Sequence, residues 1–154
     1  MKILVLSDSH GDSAGMMAAY TREQPDVTIH LGDLTADAGE LRRQFPDIKL
    51  CAVKGNCDYI SRHPTLARLE VEGKRILYTH GHAFHVKNGY TTLVLAAKEA
   101  RADVVLFGHT HIPLETEYQG MTLLNPGSCG KGNKKTYGLL EITAEGLRTE
   151  IREI

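Results

Sequence analysis

Five times along this chain an apolar run stops at a glycine-containing cluster of side chains able to hold a cation. The clusters are Asp8-Ser9-His10-Gly11, Gly32-Asp33, Gly55-Asn56-Cys57-Asp58, His80-Gly81-His82 and Gly108-His109-Thr110-His111. The runs before them, beginning with Ile3-Leu4-Val5-Leu6, have the length and composition of buried strands. In an α/β sheet the carboxyl ends of parallel strands open on one crevice, so clusters distant in sequence can be delivered to one place. The recurrence therefore calls for parallel strands feeding a common edge, with glycine letting the backbone turn sharply where each strand stops.

Around these anchors the hydrophobic pattern predicts strands at 2–6, 26–31 and 48–53, alternating with helices at 13–23 and 36–44. Met16, Met17, Ala19 and Tyr20 fall on the inner face of the first helix. The rhythm then changes. Segments 66–71 and 74–79 are separated only by Glu72-Gly73, a hairpin signal that predicts an antiparallel pair. A helix at 89–101 and strands at 103–107, 114–118, 121–124, 136–142 and 147–151 complete the pattern, with turns at Gln119-Gly120 and Glu145-Gly146. This order fits an α/β protein of two face-to-face sheets with helices outside better than one doubly wound sheet. The loop 127–135, with three glycines and three lysines, is the expected mobile connection; its solvated-turn reading stands ahead of a phosphate-facing one.

At 154 residues the chain is expected to form a single domain spanning 1–154, and its 42% apolar and 24% charged content suits a soluble core-forming protein. A net charge of −1, with both signs interspersed, argues against extended nucleic acid as a partner. The opening apolar run is too short for a signal peptide or membrane span, so a cytoplasmic location and no membrane partner are expected. Cys51, Cys57 and Cys129 show no C-x-x-C spacing and read as reduced thiols. A homo-oligomer remains open.

Carboxylate, amide and imidazole donors suit manganese, iron, zinc or similar dications. Asp8 with His10, and His109 with His111, are i, i+2 pairs, which in an extended strand project to one side. Seven candidate donors (Asp8, His10, Asp33, Asn56, His80, His109 and His111) are too many for one catalytic ion with open positions and suit two ions about 3.5–4 Å apart. Such a pair would attract a phosphodiester anion and activate water, with no side-chain nucleophile.

In this order the motifs Asp-x-His, Gly-Asp, Gly-Asn-x-Asp, His-Gly-His and Gly-His-Thr-His resemble the calcineurin-like metallophosphoesterases over nearly the whole chain. Its length, Gly-Asn-Cys-Asp and the later Asn125-Pro126-Gly127-Ser128 are most similar to the small YfcE-type phosphodiesterases. The resemblance implies a four-layer α-β-β-α sandwich and two divalent metals, manganese first, with nickel, iron, zinc, magnesium or cobalt as alternatives. It implies Asp8, His10 and His111 on one metal, Asn56, His80 and His109 on the other, and Asp33 bridging. Asp33, Asn56 and His80 would serve hydrolysis of a small phosphodiester by in-line attack of the bridging hydroxide. Many relatives carry histidine where this chain has Cys57. Packing is the expected role of Cys57, with an accessory proton-donor role left open, as is an accessory role for His82.

His30, His63 and His85 are expected to be structural. Asp58 is expected to brace the loop or a ligand, while Ser128 and Asn125 either form a turn or contact phosphate. Replacing Asp33 by Asn or His80 by Ala is expected to abolish turnover and spare the fold, on the view that strand-end residues lie outside the packed core. The competing class is a scaffold or binding module on the same fold, to which the resemblance also extends through a retromer subunit. A flavodoxin-like nucleotide domain ranks last, because Gly11-Asp12-Ser13 places an acid where a phosphate-cradling loop would open the first helix.

Overall fold

The computed structural model describes residues 1–154. The first sheet contains β1 (Lys2–Leu6), β2 (Val27–His30), β3 (Leu50–Ala52), β9 (Thr136–Thr143) and β10 (Gly146–Glu153), in the order β10-β9-β1-β2-β3. Strands β1, β2 and β3 run parallel, while β9 and β10 add antiparallel. The second sheet has the order β4-β5-β6-β8-β7, from β4 (Leu66–Val71), β5 (Lys74–Thr79), β6 (Val104–Leu106), β7 (Leu114–Tyr118) and β8 (Met121–Asn125). Here β5, β6 and β8 are parallel, and β4 and β7 are antiparallel edges. Helices α1 (Ser13–Glu23) and α2 (Thr35–Gln44) accompany the first sheet, and α3 (Thr91–Glu99) the second.

Alternation along the strands builds three apolar layers between four structural ones. Ile3, Val5, Ile29 and Leu31 of the first sheet meet Ile76, Tyr78, Val104 and Leu106 of the second in the central core. The alternate residues Leu4 and Leu6 pack outward with Met16, Ala19 and Leu41 of the helices. Leu77, Val105 and Phe107 likewise pack against Leu93, Val94 and Ala97 of α3. A strand buried on both faces carries no polar alternation, which explains the continuous apolar runs that precede each cluster. The expected α-β-β-α sandwich is the observed architecture.

Both segments of the β4–β5 hairpin are as expected, with Glu72 and Gly73 at positive φ in the turn. Segments 2–6, 13–23 and 114–118 are also as expected, and the other bounds shift by no more than two residues. Helix α3 starts at Thr91 and not at 89, because Gly89 has φ 130° and Tyr90 supplies no side-chain cap. Two short 3₁₀ turns, His82–Phe84 and Val86–Asn88, fill the stretch before it. Loop 127–135 is tied down and is not a free connection. Ser128 Oγ donates to the Asp8 carbonyl at 2.8 Å, Cys129 N–H donates to Ser7 O at 3.0 Å, and Lys134 pairs with Glu153 at 2.8 Å.

Candidate metal centre

Five parallel strands, β1, β2 and β3 of one sheet and β5 and β6 of the other, end at the clusters noted above. The segments that follow them meet at one edge of the sandwich. Five of the eleven non-glycine residues with positive φ are here: Asp8 (55°), His10 (48°), Asp33 (58°), His109 (67°) and His111 (60°). Left-handed backbone costs an L-residue about 1 kcal/mol or more, and such strain concentrates where function over-determines the structure. It also corrects the i, i+2 argument. The pairs lie beyond the strand ends in left-handed turns, and strand alternation does not aim them.

Two triads result. In one, donor atoms of Asp8, His10 and His111 lie within 4.8 Å of one another; in the other, those of Asp33, His80 and His109 do. His109 and His111, two residues apart, thus separate into different triads. The triads adjoin through Asp33, whose Oδ2 is 3.7 Å from His10 Nε2 while its Oδ1 is 3.4 Å from His80 Nε2. His10 and Asp33 form a third group with Cys57.

The carboxylates are buried and held by defined donors. Asp8 Oδ2 accepts from Ser7 Oγ at 2.6 Å and from His109 N–H at 3.1 Å. Asp8 Oδ1 is buried without a hydrogen bond, and ring nitrogens of His111, His10 and His80 stand 3.1, 3.8 and 3.9 Å away. Asp33 Oδ1 accepts the Cys57 N–H at 2.9 Å. Gly55 leaves room for that carboxylate, since a Cβ there would fall 2.0 Å from Asp33 Oδ1. Burial by itself would raise the Asp33 pKa, but contact with His80 and the Cys57 N–H prevail and hold it well below the usual carboxylate range.

His80 is fully buried; its Nδ1–H donates to Leu31 O at 2.9 Å, leaving a buried, unpartnered Nε2 turned to the acids. A metal-ligating histidine is oriented in this way, through a backbone carbonyl on its other nitrogen. Because His80 and Asp33 are buried at 0% and 2% exposure, substitution here reaches the packed interior, contrary to the expectation that strand-end residues lie outside it. Burial, with the neighbouring His80 and Lys87, lowers the His109 pKa to about 4 and keeps that ring neutral. His10 is lowered by burial and by Lys131, against the opposing pull of Asp33 and Asp8.

These residues fit divalent cations. Donors about 2.1 Å from one ion stand about 3.0–3.4 Å apart, close to the shorter separations here, such as 3.2 Å between His10 Nε2 and His111 Nε2. Two buried donor atoms with no hydrogen bond, Asp8 Oδ1 and His80 Nε2, would otherwise leave a desolvation penalty uncompensated.

Asn56 is exposed on the adjoining loop, its Nδ2 3.5 Å from Cys57 Sγ. Burial and the neighbouring Asp33 push the Cys57 thiol up, so it stays protonated at neutral pH. Asp58 braces the loop, accepting from the N–H groups of Asp33, Thr35 and Gly55 at 2.9, 2.7 and 2.8 Å. His82 lies beside the second triad, its ring 5.4 Å from that of His80, with a buried, unpartnered Nδ1. Buried His30 accepts the Gly32 N–H at Nδ1 and meets Ser9 Oγ at Nε2, while His63 and His85 are exposed. Asn125 Nδ2 donates to Gly108 O and Thr110 Oγ1, both at 3.0 Å, so Asn125 and Ser128 are turn-forming. Sequence reasoning did not single out Ser7 or Lys131, whose places depend on contacts between distant segments.

The calcineurin-like phosphoesterase superfamily domain matches residues 1–145. The chain belongs to that superfamily. It is 34% identical to phosphodiesterase YfcE of Escherichia coli (strain K12) over 168 aligned positions, covering 92% of this chain and 88% of that one. A protein of Streptococcus pneumoniae TIGR4, described as conserved, uncharacterized and a predicted phosphoesterase, superposes with a TM-score of 0.79 at 26% identity, covering 98% and 97% of the two chains. Vps29 of Entamoeba histolytica complexed with Zn²⁺ shares the fold, with a TM-score of 0.76 at 19% identity over 99% of each chain.

Proposed function

We propose that the protein is a metal-dependent phosphodiesterase that hydrolyses small phosphodiesters at a pair of divalent cations. The observation that carries this reading is the Asp33 carboxylate, whose two oxygens face histidines of two adjoining triads. Asp8, His10 and His111 would hold one ion, Asn56, His80 and His109 the other, with Asp33 shared. Mixed nitrogen and oxygen donors suit manganese first, and nickel, iron, zinc, magnesium or cobalt as alternatives. The zinc bound by Vps29 supports a transition dication on this fold. When bound, such ions acidify water and neutralise developing phosphate charge.

The chain's own groups prepare that chemistry. Asp8 and Asp33 bring only two negative charges, and burial keeps His109 neutral, so the donor set undercompensates two dications and favours an anionic substrate. Leu31 O fixes the His80 ring so that Nε2 is the ligating atom. The Ser7 and Ser9 hydroxyls are engaged by Asp8 and by the His30–Asp33 segment, in keeping with water as the nucleophile in this reading.

A colourimetric aryl-diester assay tests the reading. Manganese should support turnover and a chelator should abolish it reversibly. Fully metallated protein that hydrolyses no activated diester would overturn it. The second reading, a binding module, is favoured by Tyr59 and Ile60 beside the Cys57 loop, apolar side chains 91% and 99% exposed.

A further inference from the structure

Three lysines lie in the loop between β8 and β9, and their situations differ. Lys134 pairs with Glu153 at 2.8 Å and Lys135 pairs with Asp12. Lys131 is exposed and has no acidic partner. The loop backbone is pressed against the first metal-binding segment. Ser128 Oγ donates to Asp8 O, Cys129 N–H donates to Ser7 O, and a Cβ at Gly130 would fall 1.7 Å from the Ser9 carbonyl oxygen. Only glycine allows that approach, and Lys131 is the next residue. Its own N–H donates to Ser128 Oγ at 2.8 Å, which fixes the point from which its side chain leaves.

We propose that Lys131 is a substrate-binding residue whose ammonium engages a non-bridging oxygen of the phosphodiester bound at the metal centre. The inference rests on the reading of the site as a phosphodiesterase and adds a cation that belongs to the protein. The two ion pairs hold the far part of the loop, while the contact at Gly130 holds its near part, so Lys131 leaves the backbone next to the Asp8–His10 segment. An exposed ammonium adds modest electrostatic affinity, screened by salt, and a backbone held at its root limits the entropy lost on binding to that of the side chain.

Steady-state kinetics with bis(p-nitrophenyl) phosphate on manganese-loaded protein, with calorimetric titration of inorganic phosphate, tests the assignment. Lys131→Ala should raise KM and weaken phosphate about tenfold, with kcat changed less than about threefold. Lys131→Arg should restore both, manganese affinity should not fall, and Lys98→Ala on the remote helix α3 should match wild type. Added salt should raise KM less in Lys131→Ala than in wild type. Unchanged KM and phosphate affinity in Lys131→Ala would overturn the assignment, as would a loss that arginine fails to restore. Wild type that binds phosphate through Lys131 yet hydrolyses no diester would retire the phosphodiesterase reading and leave Lys131 as an anion-binding residue.

Discussion

The two sheets bring different chemistry to the edge they share. The first supplies both carboxylates, Asp8 and Asp33, with His10 and the Asn56–Cys57 loop; the second supplies only imidazoles, His80, His109 and His111. The acids are buried and gripped by hydroxyl and backbone N–H donors, whereas His111 on the opposite side is partly exposed. One half therefore brings the acidic groups and the other brings imidazole nitrogens. The triads cross the boundary between sheets, so the centre depends on the central apolar core that docks them.

If the acidic half dominates, Asp33→Asn will show the largest effect. Turnover of an aryl diester should fall by about a thousandfold or more, because both ions lose a shared anionic ligand. In wild type, manganese at about a hundred times Kd should stabilise the fold by about 3 kcal/mol in thermal unfolding, and the variant should lose most of that. A variant with normal metal stabilisation would break the assignment of Asp33.

That asymmetry was only partly visible in the sequence. The strands, and the strand-end places of the candidate donors, could be read because a twice-buried strand is largely apolar and each one stops at a polar, glycine-containing cluster. The β4–β5 hairpin was legible to the residue through its two-residue turn. Three features were hidden. The left-handed turns that carry Asp8, His10, His109 and His111 take their geometry from tertiary contacts such as His109 N–H to Asp8, which no period of two records. The 3₁₀ turns after His80 follow from Gly81, which has φ 102°, and lack a helical hydrophobic pattern. The packing of loop 127–135 on Ser7 to Ser9 likewise joins segments more than a hundred residues apart.

On the imidazole side, His80→Ala should lower turnover about a hundredfold or more and also cost about 1–3 kcal/mol of stability, since it leaves Leu31 O without its buried donor. Chemical denaturation of the metal-free protein reads the second effect. An unchanged midpoint would show that His80 is not wedged into the interior as described.

A pH series on metal-free protein sharpens the contrast further. Burial lowers the His30 pKa from 6.5 to about 4. Between those values the unfolded chain binds a proton that the folded chain refuses, so stability should fall as pH drops from 6.5 towards 4, by roughly 3 kcal/mol. Above pH 6.5 this contribution is flat. His30→Gln should reduce the slope of unfolding free energy against pH, and an unaltered slope would place the titration elsewhere.

The smallest effect is expected at Cys57. Its thiol holds its proton at neutral pH, so Cys57→Ala should keep turnover within about tenfold of wild type. A larger loss confined to diesters with poor leaving groups would instead make the thiol a proton donor.

The grip of loop 127–135 on the first strand's end has a consequence for biosynthesis. Every proposed donor has been translated once residue 111 is made, yet the backbone of Asp8 is clasped by Ser128, and β1 still awaits its neighbour β9. On the reading proposed above, the segments that hold Asp8 in place are therefore made after all of its partner donors, and a nascent chain lacks the finished frame of the centre until β9 has emerged.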